Sequence, residues 1–141
     1  MINFLATDFE HLPMIQEWIA ADEWHQNQPA DFWLTGNECF VAFRLEDREG
    51  IVFFVRFDTE GKYLRLHTQF GPVDQVSQRR VAAAITNAME KFIPVAKERE
   101  FVGIVYESTS PGLILFMHKM GFAKIEATND YRLDFVNEAA A

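Results

Sequence analysis

The alternation of apolar and polar residues along the chain predicts a series of short β-strands. The clearest case is the run from Tyr63 to Phe70, in which leucines alternate with arginine and histidine, as expected for a strand with one buried face. Glycine and charged residues bound this run and several others, and they favour turns. Strands are predicted at residues 2–6, 39–45, 51–58, 63–70, 101–107, 122–127 and 130–136. The turns between neighbouring strands are predicted at residues 46–50, 58–61 and 128–129.

Apolar residues at helical spacing predict helices between these strands. The best-defined helix begins at Ser110-Pro111, which suit an N-cap and a first helical position, and it stops at Gly121. Helices are predicted after a cap at residue 7 or 8, within residues 22–37, over residues 75–92 with a last turn through residue 97, and from residue 110 to residue 121.

The elements follow in the order β-α-α-β-β-β-α-β-α-β-β, which indicates the α/β class with a mixed sheet (an α+β arrangement). An antiparallel meander comes first, and a strand–helix–strand crossover lies at its centre. Helices are expected on the faces of the sheet. The apolar fraction of 49% is enough to fill a core. Residues 1–141 are therefore expected to form a single domain, with residues 136–141 as a frayed tail.

Composition limits which binding partners and which cellular compartment are expected. The net charge of −8 repels phosphate backbones and anionic lipids, so neither nucleic acid nor a membrane is an expected partner. The sequence shows neither a secretion signal nor an apolar run of about 18 residues, and a cytoplasmic protein is expected. The lone cysteine, Cys39, lies in an apolar run and is predicted to be an inert core thiol. A single cysteine suits a reducing compartment.

Two segments carry a resemblance to a known family. In the first, residues 63–89, a strand and a short loop lead to a helix that begins with the sequence SQRRVA at Ser77–Ala82. The second, Ser110–Phe122, ends with the sequence KMGF. In these segments and in the order of its elements, the chain resembles the GNAT superfamily of acetyl-CoA-dependent N-acetyltransferases.

The two family motifs are matched with departures. The long helix of the family begins Arg/Gln-x-x-Gly-x-Gly/Ala, and Ser77, Arg80 and Ala82 take those three places here. The second motif reads Asn, six residues, Tyr, three residues, Gly-Phe. Ser110 and Met117 take the places of the asparagine and the tyrosine, whereas the Gly-Phe ending is kept.

The resemblance implies a site for acetyl-CoA at the start of the long helix. Unpaired N–H groups and the helix dipole suit a pyrophosphate there. The side chain of Arg80 stands where the family has glycine, so it is expected either to obstruct a phosphate or to grip it. The pantetheine arm is expected between two splayed strands, residues 63–70 and 101–107. The implied contacts are Thr68, Gln69, Phe70, Arg79, Arg80, Val81, Ala82, Ala83, Ser110 and Met117.

The resemblance also points to catalytic residues in the two strands that are expected to splay. Removal of a proton from the acceptor amine needs a base poised near neutrality, and His67 and Glu107 are the candidates. Methionine at position 117 has no proton to give. Tyr106 is therefore the candidate acid, with His118 as the alternative, although His118 lies about 100° around the helix from Met117.

Four aromatic residues of the N-terminal third fall where the family builds its acceptor-binding wall. Such rings can hold a cation or a second ring, and ordinary core packing is the alternative. The four are Trp18, Trp24, Phe32 and Trp33. Nearby, Glu23, His25 and Asp31 lack the tight spacing of metal ligands, so no metal site is expected.

The sequence thus predicts an enzyme that transfers acetyl from acetyl-CoA to an amine of a small molecule or a protein. One alternative is a GNAT-fold protein that no longer catalyses and serves as a binding or assembly module, as in some phage-encoded GNAT-like proteins. The other is an acyl-CoA sensor that binds without turnover. The expected partner is then an amine substrate or another protein. A homodimer is a further alternative.

Overall fold

The computed structural model describes residues 2–24 and 28–135. Part of the second helix predicted within residues 22–37 and the predicted tail at 136–141 lie outside these ranges. The strands are β1 (Asn3–Leu5), β2 (Val41–Asp47), β3 (Gly50–Glu60), β4 (Tyr63–Phe70), β5 (Gly103–Glu107), β6 (Ala123–Lys124) and β7 (Asp130–Asp134). The α-helices are α1 (Leu12–Ala21), α2 (Gln78–Glu98) and α3 (Pro111–Lys119).

All the strands belong to one mixed sheet, in the spatial order β1-β2-β3-β4-β5-β7-β6. The first four form an antiparallel meander, and α2 crosses from β4 to β5, which pair in parallel. The last three strands pair antiparallel. This arrangement confirms the predicted mixed α/β class and its order of elements.

Three local predictions differ from the structure. In the described part of residues 22–37, the predicted second helix is a 3-10 turn at Ala30–Trp33 that buries Trp33. The turn predicted at residues 58–61 begins too early, because β3 continues through Glu60 in its pairing with β4. β6 is only two residues long, since the chain turns over residues 125–129 through a positive φ at Ala127.

Phenylalanine rings fill the space between the sheet and α2. Phe92 of α2 stacks on Phe43 at a centroid distance of 4.9 Å and on Phe57 at 5.2 Å. Helix α1 covers the opposite face, where Trp18 meets the edge of Phe54 at 5.4 Å. Since neighbouring strand residues point to opposite faces, this division places α1 and α2 on the two sides of the sheet.

Cys39 lies just before β2 and is partly exposed, so its assignment to a core strand was wrong. Burial nevertheless raises the pKa of its thiol, which keeps the sulfur protonated and poorly nucleophilic. Within the parts of the chain that the structure describes, no helix is both long and apolar enough to cross a membrane.

Candidate active site

The parallel strands β4 and β5 pair along only part of their length. Their ladder joins Tyr63–Arg65 to Gly103–Val105. Both strands continue beyond it, to Phe70 and Glu107, without pairing to each other. The backbone groups that face across this gap have no ladder partner, which suits an extended ligand with groups that can hydrogen-bond to a strand edge.

Arg65 braces the point at which the two strands separate. Its guanidinium binds Glu60 on β3 at 3.0 Å and Asp130 on β7 at 2.9 Å. These carboxylates raise the pKa of Arg65, so its charge is permanent. The side chain therefore ties three strands together beside the opening.

A cleft of about 1080 Å³ passes through the gap. It is lined by β4 residues from both faces of the sheet, Leu66 and Thr68 from one face and Arg65 and His67 from the other. The remaining walls come from the first turns of α2, from α3 and from the segment that follows α1. The cleft therefore joins the two faces of the sheet.

Most of the site residues predicted from the sequence line this cleft. Ten of them do so: His67, Thr68, Phe70, Arg79, Val81, Ala82, Tyr106, Glu107, Ser110 and Met117. Gln69, Arg80 and Ala83 do not. Ala83 follows Ala82 by one residue, and the rotation of about 100° per helical residue turns it to solvent.

The side chain of Gln69 is fully buried away from the cleft. Its Nε2 donates to Asp22 Oδ2 at 3.1 Å and to the Phe70 carbonyl at 3.0 Å. Strand alternation turns it away from the face that Thr68 presents to the cleft. The side chain of Gln69 therefore ties the end of β4 to the end of α1. Only its backbone groups stay as a predicted cofactor contact.

Arg80 neither obstructs the cleft nor reaches into it, so both expectations for its side chain were wrong. Its Nε and Nη2 donate to the two carboxylate oxygens of Asp47, each at 2.7 Å. A third contact joins it to Glu49 at 3.4 Å. This bidentate pair fastens the start of α2 to the β2–β3 hairpin, and it leaves the helix N-terminus open on the cleft side.

Replacing Asp47 with asparagine is expected to lower the free energy of unfolding at neutral pH by about 2 kcal/mol, because the largely buried charge of Arg80 then keeps only the longer contact to the exposed Glu49. The hydrogen bond from Arg80 lowers the pKa of Asp47 below 3.8. A lowered carboxyl pKa stabilises the fold above its unfolded-state value, and this contribution disappears as pH falls through the folded-state value.

Urea unfolding of both proteins at neutral and strongly acidic pH tests this coupling. The difference between wild type and Asp47→Asn should be large at neutral pH and should vanish in acid. Asp134→Asn removes the charge of an exposed carboxylate that pairs with Arg132. Asparagine keeps an oxygen that can accept the Tyr63 hydroxyl, so this change should cost less than about 0.5 kcal/mol. A difference for Asp47→Asn that is independent of pH would contradict the prediction.

The N-terminus of α2 offers an anion site at one end of the cleft. The Ser77 side chain accepts the backbone N–H of Arg80 at 3.3 Å, whereas the N–H groups of Gln78 and Arg79 in the first turn have no intrahelical acceptor. Both residues line the cleft. The guanidinium of Arg79 forms no ion pair among the described residues. Free N–H groups, the helix dipole and an unpaired arginine together favour a phosphate.

His67 is held on one side of the cleft by a carboxylate and an aromatic ring. Its Nε2 lies 3.1 Å from Asp58 Oδ2, and the edge of Phe32 meets its ring at a centroid distance of 5.1 Å. Burial lowers the pKa of His67 below 6.5, against the opposing effect of Asp58. The imidazole is therefore neutral at physiological pH and able to accept a proton.

Tyr106 has a buried hydroxyl with no hydrogen-bond partner among the described residues. Its ring packs between Phe122, at 5.1 Å, and Tyr131, at 5.3 Å. Burial raises the pKa of Tyr106, and the neighbouring Tyr131 adds to the effect. The phenol therefore stays protonated and keeps one O–H donor without an acceptor among the described residues, in a residue that lines the cleft.

Three of the four aromatic residues predicted for an acceptor wall line the cleft: Trp18, Trp24 and Trp33. Phe32 does not, but it packs against His67. The Trp18 ring lies so close to Gly71 that a Cβ there would stand 2.7 Å from it. Its Nε1 donates to Gln75 at 3.1 Å. Trp18 is therefore fixed in place on the end of β4.

Two acidic residues beside this wall are Asp22, which was not singled out in the sequence, and Glu23, which was considered there only as a metal ligand. The only signal was their position directly after a helix, in an acidic protein. Asp58 was also missed, although the register of the β3–β4 hairpin brings it beside His67. That register pairs Asp58 with Arg65 and Arg56 with His67, so Asp58 is the diagonal neighbour of the histidine.

The described residues contain one group with metal-ligand geometry, Asp8, Glu10 and His11, whose ligand atoms lie within 4.8 Å of one another. It lies outside the cleft. His11 Nδ1 already accepts the backbone N–H of Asp8 at 2.9 Å, which accounts for the cluster as a helix start. His25, one of the residues considered for a metal site, lies outside the described residues.

A mixed sheet whose two central parallel strands splay over a cleft, with an exposed helix N-terminus at one end, defines the class of the fold. It is the fold of the GNAT N-acetyltransferases.

Comparisons with known proteins agree with this assignment at the level of structure. No protein-family model and no curated protein sequence matches the chain. A GNAT acetyltransferase from Staphylococcus aureus superposes with a TM-score of 0.72 and 12% identity, over 95% of this chain and 99% of that one. A GCN5-related N-acetyltransferase from Kribbella flavida gives a TM-score of 0.70 and 11% identity over 95% and 98%.

A third similar structure is the PaiA N-acetyltransferase from Thermoplasma acidophilum in complex with coenzyme A. It superposes with a TM-score of 0.61 and 10% identity, over 96% of this chain and 99% of that one. At these identities the likeness establishes a shared fold, and the chemistry must be argued from the residues of this chain.

Proposed function

We propose that the protein transfers an acetyl group from acetyl-CoA to an amine. The observation that carries the proposal is the cleft itself, which runs from the free N-terminus of α2, through the gap between β4 and β5, to an aromatic and acidic wall on the other face of the sheet. Such a cleft has an anion end, an extended middle and a separate pocket for a second substrate.

The residues present fit the coenzyme along this path. Gln78 and Arg79 would hold the phosphates through backbone N–H groups and a guanidinium. Ala82 on α2 is small enough for a close approach. The unpaired edge of β4 would bind the amide groups of the pantetheine arm. The orphaned hydroxyl of Tyr106 would gain the partner that the protein itself does not supply.

When bound, acetyl-CoA supplies a thioester carbonyl: a C–N bond to the amine forms, the C–S bond breaks, the amine loses a proton and the thiolate gains one. Neutral His67 is the better placed base for the amine proton, because it lines the cleft beside the acceptor wall. Glu107 lines the cleft at the end of β5 and is the second candidate. Tyr106 would donate a hydrogen bond to the leaving sulfur.

The acceptor would enter beside Trp18 and Trp24. Asp22 and Glu23 give this entrance negative charge, which attracts an ammonium group, and indole faces stabilise cations by cation–π contact. These features fit an amine of either a small molecule or a protein chain.

Acetyl-CoA titration by calorimetry, with Arg79→Ala beside the native protein, tests the anion end of the cleft. Micromolar binding is expected for the native protein. Arg79→Ala should weaken it about tenfold, since one charge-assisted hydrogen bond contributes about 1.4 kcal/mol. Arg99→Ala removes the same charge at the opposite end of α2 and should leave the affinity unchanged.

Two results would count against the proposal. The absence of any binding by the native protein would remove its basis and favour a non-catalytic binding or assembly module. Binding without acetylation of a broad amine panel would favour an acyl-CoA sensor. One observation favours the acyl-CoA sensor. Met117 is buried on the cleft wall where the family tyrosine is expected. Its thioether has no proton to donate.

A further inference from the structure

The contact between His67 and Asp58 determines which ring nitrogen of His67 carries the proton. Oδ2 of Asp58 lies 3.1 Å from Nε2 of His67. An ionised carboxylate at that distance repels a lone pair and attracts an N–H, so a neutral His67 is more stable with its proton on Nε2. Neutral imidazole has one N–H and one lone pair. Nδ1 has no hydrogen-bond partner among the described residues, and it is then the nitrogen with the free lone pair.

Asp58 is itself held from the other side. Arg56 Nε donates to both of its oxygens, at 3.0 and 3.1 Å. Arg56 is fixed in turn, because it donates to the carbonyls of Phe32 and Glu38 at 3.0 Å and its guanidinium lies 4.0 Å from the centroid of the Phe32 ring. The carboxylate therefore has one arginine behind it and one imidazole in front of it.

The other charged groups near His67 do not compete for its ring nitrogens. Arg65 on β4 is engaged with Glu60 and Asp130, and an arginine can only donate. Glu107 of β5 lines the same cleft and forms no hydrogen bond to the imidazole. Asp58 is thus the one carboxylate among the described residues that binds the His67 ring.

We propose that Asp58 is the positioning residue of the site: it holds the imidazole of His67 in the tautomer protonated at Nε2, which leaves Nδ1 free to take the proton of the acceptor amine. The transfer of the amine proton to Nδ1 rests on the proposed function. The assignment of the tautomer does not. In the transfer step the amine N–H bond breaks as the new C–N bond forms, and the proton passes to Nδ1.

Asp58→Asn should reverse the tautomer, and the surroundings of Asp58 give the reason. The carboxamide oxygen is expected to turn to Arg56, which can only donate. Its NH₂ group then faces His67 Nε2 and favours a lone pair there, so the proton moves to Nδ1. A merely structural ion pair would not reverse the tautomer in this way.

The tautomer can be measured directly by ¹⁵N NMR of the imidazole nitrogens at a pH about one to two units above the ordinary histidine pKa. His67→Gln assigns the signals. We expect Nε2–H in the native protein and Nδ1–H in Asp58→Asn, with no change in Asp134→Asn, which removes an equivalent strand aspartate from Arg132. Nδ1–H in the native protein, or an unchanged tautomer in a folded Asp58→Asn, would overturn the proposal.

Kinetics separate this proposal from the proposed function. In an active enzyme, Asp58→Asn should lower kcat about 100-fold with unchanged acetyl-CoA affinity, and adding it to His67→Gln should cause no further loss. Loss of kcat with an unchanged tautomer would overturn the positioning role. The expected tautomers in a native protein that transfers nothing would support the assignment of Asp58 and refute the acetyltransferase function instead.

Discussion

Gly103→Ala is expected to destabilise the protein by roughly 3 kcal/mol or more, which corresponds to a fall in Tm of about 10 °C for a chain of this size. Gly103 begins β5 between two strands. A Cβ at this position would collide with the carbonyl oxygen of Leu133 on β7 and stand 2.7 Å from the Tyr63 ring on β4. A backbone oxygen in a sheet has no rotamer to change, so the strands themselves must move.

Thermal and urea unfolding of matched glycine variants would isolate this effect. At Gly112, in the first turns of α3, an added Cβ meets nothing within 4 Å, so Gly112→Ala should be neutral or slightly stabilising. At Gly71 the obstacle is the side chain of Trp18, and Gly71→Ala should fall between the two. Equal stability of Gly103→Ala and Gly112→Ala would show that β5 is not packed as described.

His67→Gln is expected to lower the rate of acetyl transfer by roughly 100-fold or more, the ordinary contribution of a general base. Glutamine fills a similar volume and keeps a hydrogen bond to Asp58, but it has no basic nitrogen. Acetyl-CoA affinity should stay unchanged, because His67 lies on the face of the sheet opposite Thr68. Stopped assays of initial rate at saturating acetyl-CoA, together with calorimetry, would measure both quantities.

The pH profile gives an independent check on the same residue. A base must be unprotonated, so kcat/KM of the native protein should fall as pH drops through the pKa of His67, which burial holds below 6.5. This acid limb should be absent in His67→Gln. His118→Gln is the matched control, since His118 lies outside the cleft and contacts the Phe122 carbonyl at 3.3 Å. A normal rate in His67→Gln and a lost rate in Glu107→Gln would make Glu107 the base.

Local chemistry in the sequence was enough for several elements of the fold. Strict alternation over residues 63–70 predicted β4 with its observed bounds. Ser110-Pro111 and Gly121 predicted both ends of α3, because capping and a positive φ depend on residues that are adjacent in the chain. The order of elements then limited the topology to a meander followed by a crossover, and the GNAT resemblance followed from that order.

Predictions that depend on distant partners were less successful. The turn at residues 58–61 was predicted because aspartate followed by threonine, glutamate and glycine is turn-like, whereas β3 continues to Glu60. The last residues of β3 depend on pairing with β4 across the hairpin, where Glu60 lies opposite Tyr63. Arg80 has a side chain long enough to reach either the cleft or the hairpin, and its partner Asp47 stands 33 positions earlier.

The sequence by itself determined the class of the fold and the order of its strands and helices, and ten of the thirteen site residues that it predicted line the cleft. These follow from periodicity and from residues near one another in the chain. Only the tertiary structure decided the direction of Arg80 and the pairing of His67 with Asp58. Each of these depends on contacts between separate strands or helices, whose free energy exists only once the chain has folded.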